Sequence, residues 1–103
     1  MRIDVPAQDK VIEHYGVQHQ TMLLMEECSE LAKAASKIFR ARIGSDDRET
    51  IMQRREELTE EIAHVLICIT QMMDIYEISE MHVQDYVSDT CRRVRRGIGD
   101  VDG

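Results

Sequence analysis

Apolar residues in this chain recur at the three-and-four spacing of a helix, and no stretch alternates with the two-residue period of a strand. The pattern predicts an all-α chain with four helices. A short one runs from about Ala7 to Tyr15 and stops at Gly16, a residue suited to a helix C-terminus. The second runs from about Gln18 to Arg42 and ends near Gly44, with residues 43–47 as the main loop. Asp46 to Glu49 has the Asp-x-x-Glu form of a capping box, which starts a third helix that continues to about Tyr76. Ser79 caps a fourth, with Glu80 in its first turn. It runs to about Arg96, where Gly97 and Gly99 end it.

Glutamates interrupt the apolar rows of the two long helices. Glu27 stands in the row Leu24, Glu27, Leu31, Ala34, Ile38, and Glu61 in the row Leu58, Glu61, Val65, Cys68, Met72. Both rows have the spacing of a helix-packing seam, where a carboxylate is costly unless it is paired or holds a metal. Positions three apart share a helix face, so Glu27 points with Glu30, and Glu61 with His64. An antiparallel pairing of the two helices would bring three carboxylates and an imidazole around one cavity. Mg²⁺ takes oxygen ligands and keeps waters while binding phosphates, so a di- or triphosphate would complete its shell. Helix propensity alone also puts Glu-Glu pairs on solvated faces. Two clusters on consecutive helices, both in seam positions, favour a site.

The third helix is apolar almost all round, from Ile62, Ala63, Val65, Leu66, Ile67, Cys68 and Ile69 to Met72, Met73 and Ile75. One small bundle cannot cover such a helix, so part of it is expected to face another subunit. The fold expectation is a four-helix bundle-like subunit with an antiparallel central helix pair, assembled as a homo-oligomer.

Composition narrows this further. With 103 residues, 43% hydrophobic and 32% charged, residues 1–103 read as one globular domain. A net charge of −7 makes the chain a poor binder of nucleic acid. Cys28, Cys68 and Cys91 form no CxxC pair. Cys28 and Cys68 lie in helical apolar patterns and read as reduced core thiols of a cytoplasmic protein. No signal peptide is visible, and the apolar run from Ile62 to Ile69 is too short to span a membrane.

The acidic residues also carry a family resemblance. The chain resembles the small MazG-like nucleotide pyrophosphohydrolases of the all-α NTP pyrophosphatase superfamily, whose pattern is Glu-Glu-x-x-Glu on one helix and Glu-x-x-Asp on the next. Glu26, Glu27 and Glu30 in "LLMEECSELAKAASK" match the first half. In "EELTEEIAHVLICITQM", Glu61 matches the second half, and His64 stands at the aspartate position. The similarity extends over nearly the whole chain. It implies a Mg²⁺-dependent enzyme that cleaves a nucleoside triphosphate between the α and β phosphates, releasing monophosphate and pyrophosphate. It further implies Glu27, Glu30 and Glu61 as metal ligands, Glu26 as a support for the site or for water activation, and a homodimer or dimer of dimers. Imidazole at position 64 suits Mn, Fe, Ni or Zn better than Mg. If His64 is a ligand, Mn²⁺ is an alternative to Mg²⁺. A register of Glu57-x-x-Glu60 would keep the site all-carboxylate, but Leu58, Glu61 and Val65 form the seam.

Arg92, Arg93, Arg95 and Arg96 cluster at the end of the fourth helix, either to bind substrate phosphates or to complement the helix C-terminus. Lys33, Lys37 and Arg40 read as solvated or ion-paired. His14, His19 and His82 have no ligand spacing. Met22, Met25, Met52, Met72, Met73 and Met81 read as core filler, and Tyr15, Tyr76 and Tyr86 as core or interface residues. Two other classes compete with the hydrolase. Glu61-x-x-His64 is the Glu-x-x-His element of ferritin-like carboxylate metal proteins. A noncatalytic helical interaction module with a degraded site is the third reading.

Overall fold

The computed structural model describes residues 3–100, and among these the chain is helical with no strand. Helix α1 spans Gln8–Ile43, α2 spans Arg48–Ile75 and α3 spans Glu80–Gly97. The two helices expected before residue 43 are the arms of α1. Its backbone breaks at Gly16 (φ 87°, ψ 163°), and helical geometry resumes at once. That φ lies in the region glycine enters without a steric penalty, so the glycine kinks the chain rather than ending the helix.

The start of α2 differs by one residue from the expected capping box. Asp47, not Asp46, is the N-cap, and its Oδ1 accepts the Thr50 backbone N–H at 2.8 Å. Glu49 then falls in the first turn, where its charge favours the helix N-terminus. The bond from Thr50 holds the Asp47 carboxyl below its ordinary range. Ser79 caps α3 as expected, its Oγ accepting the His82 N–H at 3.3 Å.

Helices α1 and α2 pack side by side, and their cross-links give an antiparallel register. Gln20 bonds Gln71, Thr21 meets Tyr76, and further along α1 Glu27 meets His64. The seam rows are where the burial lies. Ala34 and Ala41 on α1, and Val65, Cys68 and Met72 on α2, are buried, while Leu24, Glu27, Leu31, Leu58 and Glu61 are half-buried. Small residues on the α1 side let the backbones approach. Two of the buried side chains are polar. Gln20 is 2% exposed and donates its amide to Gln71 Oε1 at 2.9 Å, and His19 Nδ1 lies 2.6 Å from Gln20 Oε1. Thus the amide pair is hydrogen-bonded inside the seam, as buried polar groups must be.

The fourth helix of the expected bundle does not close over this pair. Every residue from 76 to 99 is exposed, and α3 buries none of its side chains. The radius of gyration is 17.3 Å, against about 13 Å for a compact chain of this length. Val83, Val87, Cys91, Val94 and Ile98 form an apolar stripe along α3, and all are solvent-exposed. Asp85, Asp89, Arg92 and Arg96 occupy the opposite face of that helix at helical spacing.

Two packing expectations are corrected. Cys28 is exposed, because it stands one residue past the seam position of Glu27, whereas Cys68 in the seam is buried. Among the methionines, Met72 is buried, but Met22, Met25, Met52 and Met81 are exposed and do not fill the core. They lie outside the seam rows of a two-helix core that has only one buried face. Among the described residues, no helix is long and apolar enough to cross a membrane.

Candidate metal centre

The antiparallel register places Glu27 of α1 against Glu61 and His64 of α2. Each of the three can offer one ligand atom, and these atoms lie within 4.8 Å of one another. His64 Nδ1 stands 3.2 Å from Glu27 Oε2 and 3.5 Å from Glu61 Oε2. Around an ion with bonds near 2.1 Å, ligands at right angles are about 3 Å apart, so these separations fit adjacent coordination positions.

The carboxylate oxygens have an unmet need. Glu27 Oε2 and Glu61 Oε2 are shielded from solvent and have no hydrogen-bond partner. Both are close to His64 Nδ1, but neither is aligned to accept a bond from it. One N–H could in any case serve only one of them well. Two shielded anionic oxygens without donors are expensive, and a cation between them removes the expense. The side chains themselves are 20% and 22% exposed, so the pair is open to water on one side. The other imidazole nitrogen, Nε2, faces Glu60 Oε1 at 3.9 Å. That is too long for a hydrogen bond but on the side where a second carboxylate orients a ligating histidine.

Beside the cluster lies an open cavity of about 190 Å³, lined by Glu30, Lys33, Ala34, Lys37, Glu57, Glu60 and Glu61. Glu30 sits on this lip, exposed and paired with Lys33 at 3.3 Å, and is not among the three converging ligands. One turn beyond Glu27, it has been carried from the seam towards solvent. Glu26 is exposed, since its one-residue offset turns it away from the seam. The arginines are not brought to the cluster within the chain. Arg92 and Arg93 face Asp89 of their own helix at 3.7 and 3.6 Å, and Arg95 pairs with Asp100 at 2.8 Å. Arg96 is exposed on the same helix.

Three groups that the sequence reading left outside the site lie beside it. Glu60 has a legible signal, its i,i+4 relation to His64. Lys33 and Lys37 earn a place only because the groove runs along α1 past them, which no spacing announces. Cys68 is buried one turn beyond His64, and burial, with the nearby charge of Glu27, pushes its thiol up from the usual value. A larger cavity of about 350 Å³ is lined by Ile3, Asp4, Val5, Gln8 and Thr70, and gathers no comparable set of ligands.

Comparison of the chain with protein-family models, with curated proteins and with solved structures finds no match.

Proposed function

We propose that the chain is a metal-dependent nucleoside triphosphate pyrophosphohydrolase, acting between the α and β phosphates. The observation that carries this reading is the convergence of Glu27, Glu61 and His64 with two shielded, unpartnered carboxylate oxygens between α1 and α2. The resemblance of Glu26-Glu27-x-x-Glu30 and Glu61-x-x-His64 to the MazG-like pattern supplies the substrate class. Glu27 and Glu61 hold a divalent cation, which the resemblance would make Mg²⁺, with His64 beside them. A bound divalent cation would neutralise phosphate charge and orient a water for attack. By the same resemblance Glu30, on the groove lip, would join the shell only through water, and Glu26, turned away from the seam, would act only on its neighbour. Lys33 and Lys37 flank the path along which a polyphosphate would leave the cluster.

The same reading requires a second copy of the chain. A cavity of about 190 Å³ is below the roughly 300–1,000 Å³ of sites that enclose a small molecule. Base and sugar therefore need walls from elsewhere. The exposed stripe of α3 and the exposed Ile62, Ile67 and Ile69 of α2 are apolar surfaces fit for a homodimer or dimer of dimers. In that assembly Arg92, Arg93, Arg95 and Arg96 of one copy would have a route to the phosphates held by another. A second reading, a ferritin-like carboxylate metal protein, is favoured by one specific observation: both members of Glu61-x-x-His64 belong to the cluster. Iron colour and oxidase activity in the purified protein would select it.

The deciding experiment is a screen of nucleoside triphosphates with Mg²⁺ and with Mn²⁺, detecting pyrophosphate, with Glu27→Gln as control. Pyrophosphate release that needs the cation and disappears in the variant supports the proposal. No hydrolysis of any triphosphate, or hydrolysis that persists in EDTA, overturns it.

A further inference from the structure

Position 64 determines which cation this centre takes. An all-carboxylate shell is the donor set of Mg²⁺, a hard ion that binds oxygen and dehydrates reluctantly. Here a ring nitrogen lies close to both carboxylate oxygens that have no hydrogen bond. Its Nδ1 is 3.2 Å from Glu27 Oε2 and 3.5 Å from Glu61 Oε2. The arrangement lies within ion-pair distance, but an ion pair alone does not account for the missing hydrogen bond from the ring to either oxygen. It is explained if all three atoms face a common ion. The ring is also oriented for ligation: Nδ1 points inward while Nε2 points out at Glu60 Oε1, 3.9 Å away. A ligating histidine ordinarily directs its second nitrogen at a carboxylate in this way.

We infer that His64 is a metal ligand and that the centre selects a first-row transition-metal ion, from Mn²⁺ along the series to Zn²⁺, over Mg²⁺. The inference rests on the existence of the cation site proposed above, but not on the reaction. Two carboxylates and one imidazole form a mixed oxygen and nitrogen set, and affinity of such sets rises along that series. Replacing one carboxylate with neutral imidazole also removes a negative charge, which weakens the hold on an ion bound mainly by electrostatics. Glu60 becomes a positioning residue, which acts on the metal through the orientation of the ring.

The test uses the full-length protein and the metals alone. Isothermal titration with MgCl₂ and MnCl₂ is expected to give Mn²⁺ at least tenfold the affinity of Mg²⁺. Pulsed electron paramagnetic resonance on the Mn²⁺-loaded protein is expected to show modulation from a directly bonded ¹⁴N nucleus. His64→Asp should abolish the nitrogen signal and bring the two affinities together. His64→Asn, which adds no charge to the seam, should lose the nitrogen signal as well, and serves if the aspartate variant does not fold. Glu60→Gln should keep the nitrogen signal and weaken Mn²⁺ binding less than either His64 change. Equal affinities for the two ions, or bound Mn²⁺ with no nitrogen coupling in the wild type, would overturn the inference while leaving a pyrophosphohydrolase intact. Nitrogen-coupled Mn²⁺ in a protein that hydrolyses no nucleotide would uphold the inference and discard the proposed reaction.

Discussion

The hydrogen bond between Gln20 and Gln71 is placed to fix the register on which the proposed metal centre depends. Glu27 lies two turns along α1 from Gln20, and His64 two turns back along α2 from Gln71, about 10 Å at 1.5 Å per residue. The amide pair is 2% and 3% exposed, with a 2.9 Å bond between Gln20 Nε2 and Gln71 Oε1. Gln71→Leu keeps the volume and removes the acceptor, leaving the Gln20 amide buried without a partner. An orphaned group of this kind costs about 1–3 kcal/mol. For a domain of this size each kcal/mol lowers the melting temperature by about 4–8 °C, so a fall of about 4–24 °C is expected. Gln20→Leu should cost a similar amount. The double variant removes both polar groups together and should recover most of the loss, giving a coupling that approaches the summed cost of the two single variants. His19 then loses Gln20 Oε1 but is exposed and can turn to water. Thermal melts of the four proteins in EDTA complete the cycle. A second melt with Mn²⁺ reads the function: without the amide pair to choose the register, the double variant should show a smaller metal-induced shift than wild type. Single losses that simply add in the double variant would show that the two amides are not coupled, and the register argument would fail with them.

Three further outcomes follow from the same geometry. Glu27→Gln removes one of two carboxylates whose ligand atoms lie within 4.8 Å. At an effective dielectric of 20 the repulsion between two unit charges is about 3.5 kcal/mol at that separation, reduced where part of each side chain is in water, so the variant should melt no lower than wild type in EDTA and lose its metal-induced shift; a lower melt with the shift retained would make Glu27 a structural residue. Asp47 is held below its usual range by Thr50, so its contribution to stability is full above the ordinary carboxylate value and is lost as pH falls through the lower folded value. Asp47→Ala should therefore lower the melting temperature at neutral pH and flatten its acid-side decline, and a variant with an unchanged acid profile would contradict the cap. Burial raises the Cys68 thiol above its ordinary value, so iodoacetamide should label Cys28 and Cys91 first and Cys68 only on unfolding. The same shift favours the folded state below the ordinary thiol value and loses that advantage as pH rises through the higher folded one; Cys68 labelled as fast as Cys28 in the native protein would refute its burial.

The elements were legible because each boundary has a local cause. Ser79 and the Gly44 region act within one turn of their own positions, and the seam rows need only a period. What sequence misplaced was decided elsewhere. Asp46 and Asp47 are equivalent as caps on paper, and the loop conformation after Gly44, with Ser45 at φ 57°, selects the second. Gly16 reads as a stop, but the chain on either side is helix-forming, so its freedom at φ is used for a kink. Apolar residues outside the rows, Met22, Met25 and Val94 among them, read as core because composition says nothing of where a third helix will lie.

The centre was legible for a different reason, and its limits show how spacing becomes chemistry. Glu27 and Glu61 were identified by an energetic anomaly, polar groups in rows that must be buried, and His64 by its three-residue spacing from Glu61; the anomaly survives in space as two shielded oxygens without hydrogen-bond donors. Glu30 shares a face with Glu27 by the rule that positions three apart are neighbours, yet a helix face is about a hundred degrees wide while a coordination shell is a few ångströms across. Being on the face therefore does not put a side chain in the shell, and Lys33 at 3.3 Å holds Glu30 on the rim. The antiparallel register supplies what the period cannot. It sets Glu27 opposite His64 and puts Gln20 opposite Gln71, so one alignment satisfies the buried amides and gathers the ligands. A slip by one turn would orphan the amides and scatter the ligands together. On this argument the polar residues of the seam, which a purely apolar core would exclude, specify the alignment that makes the site.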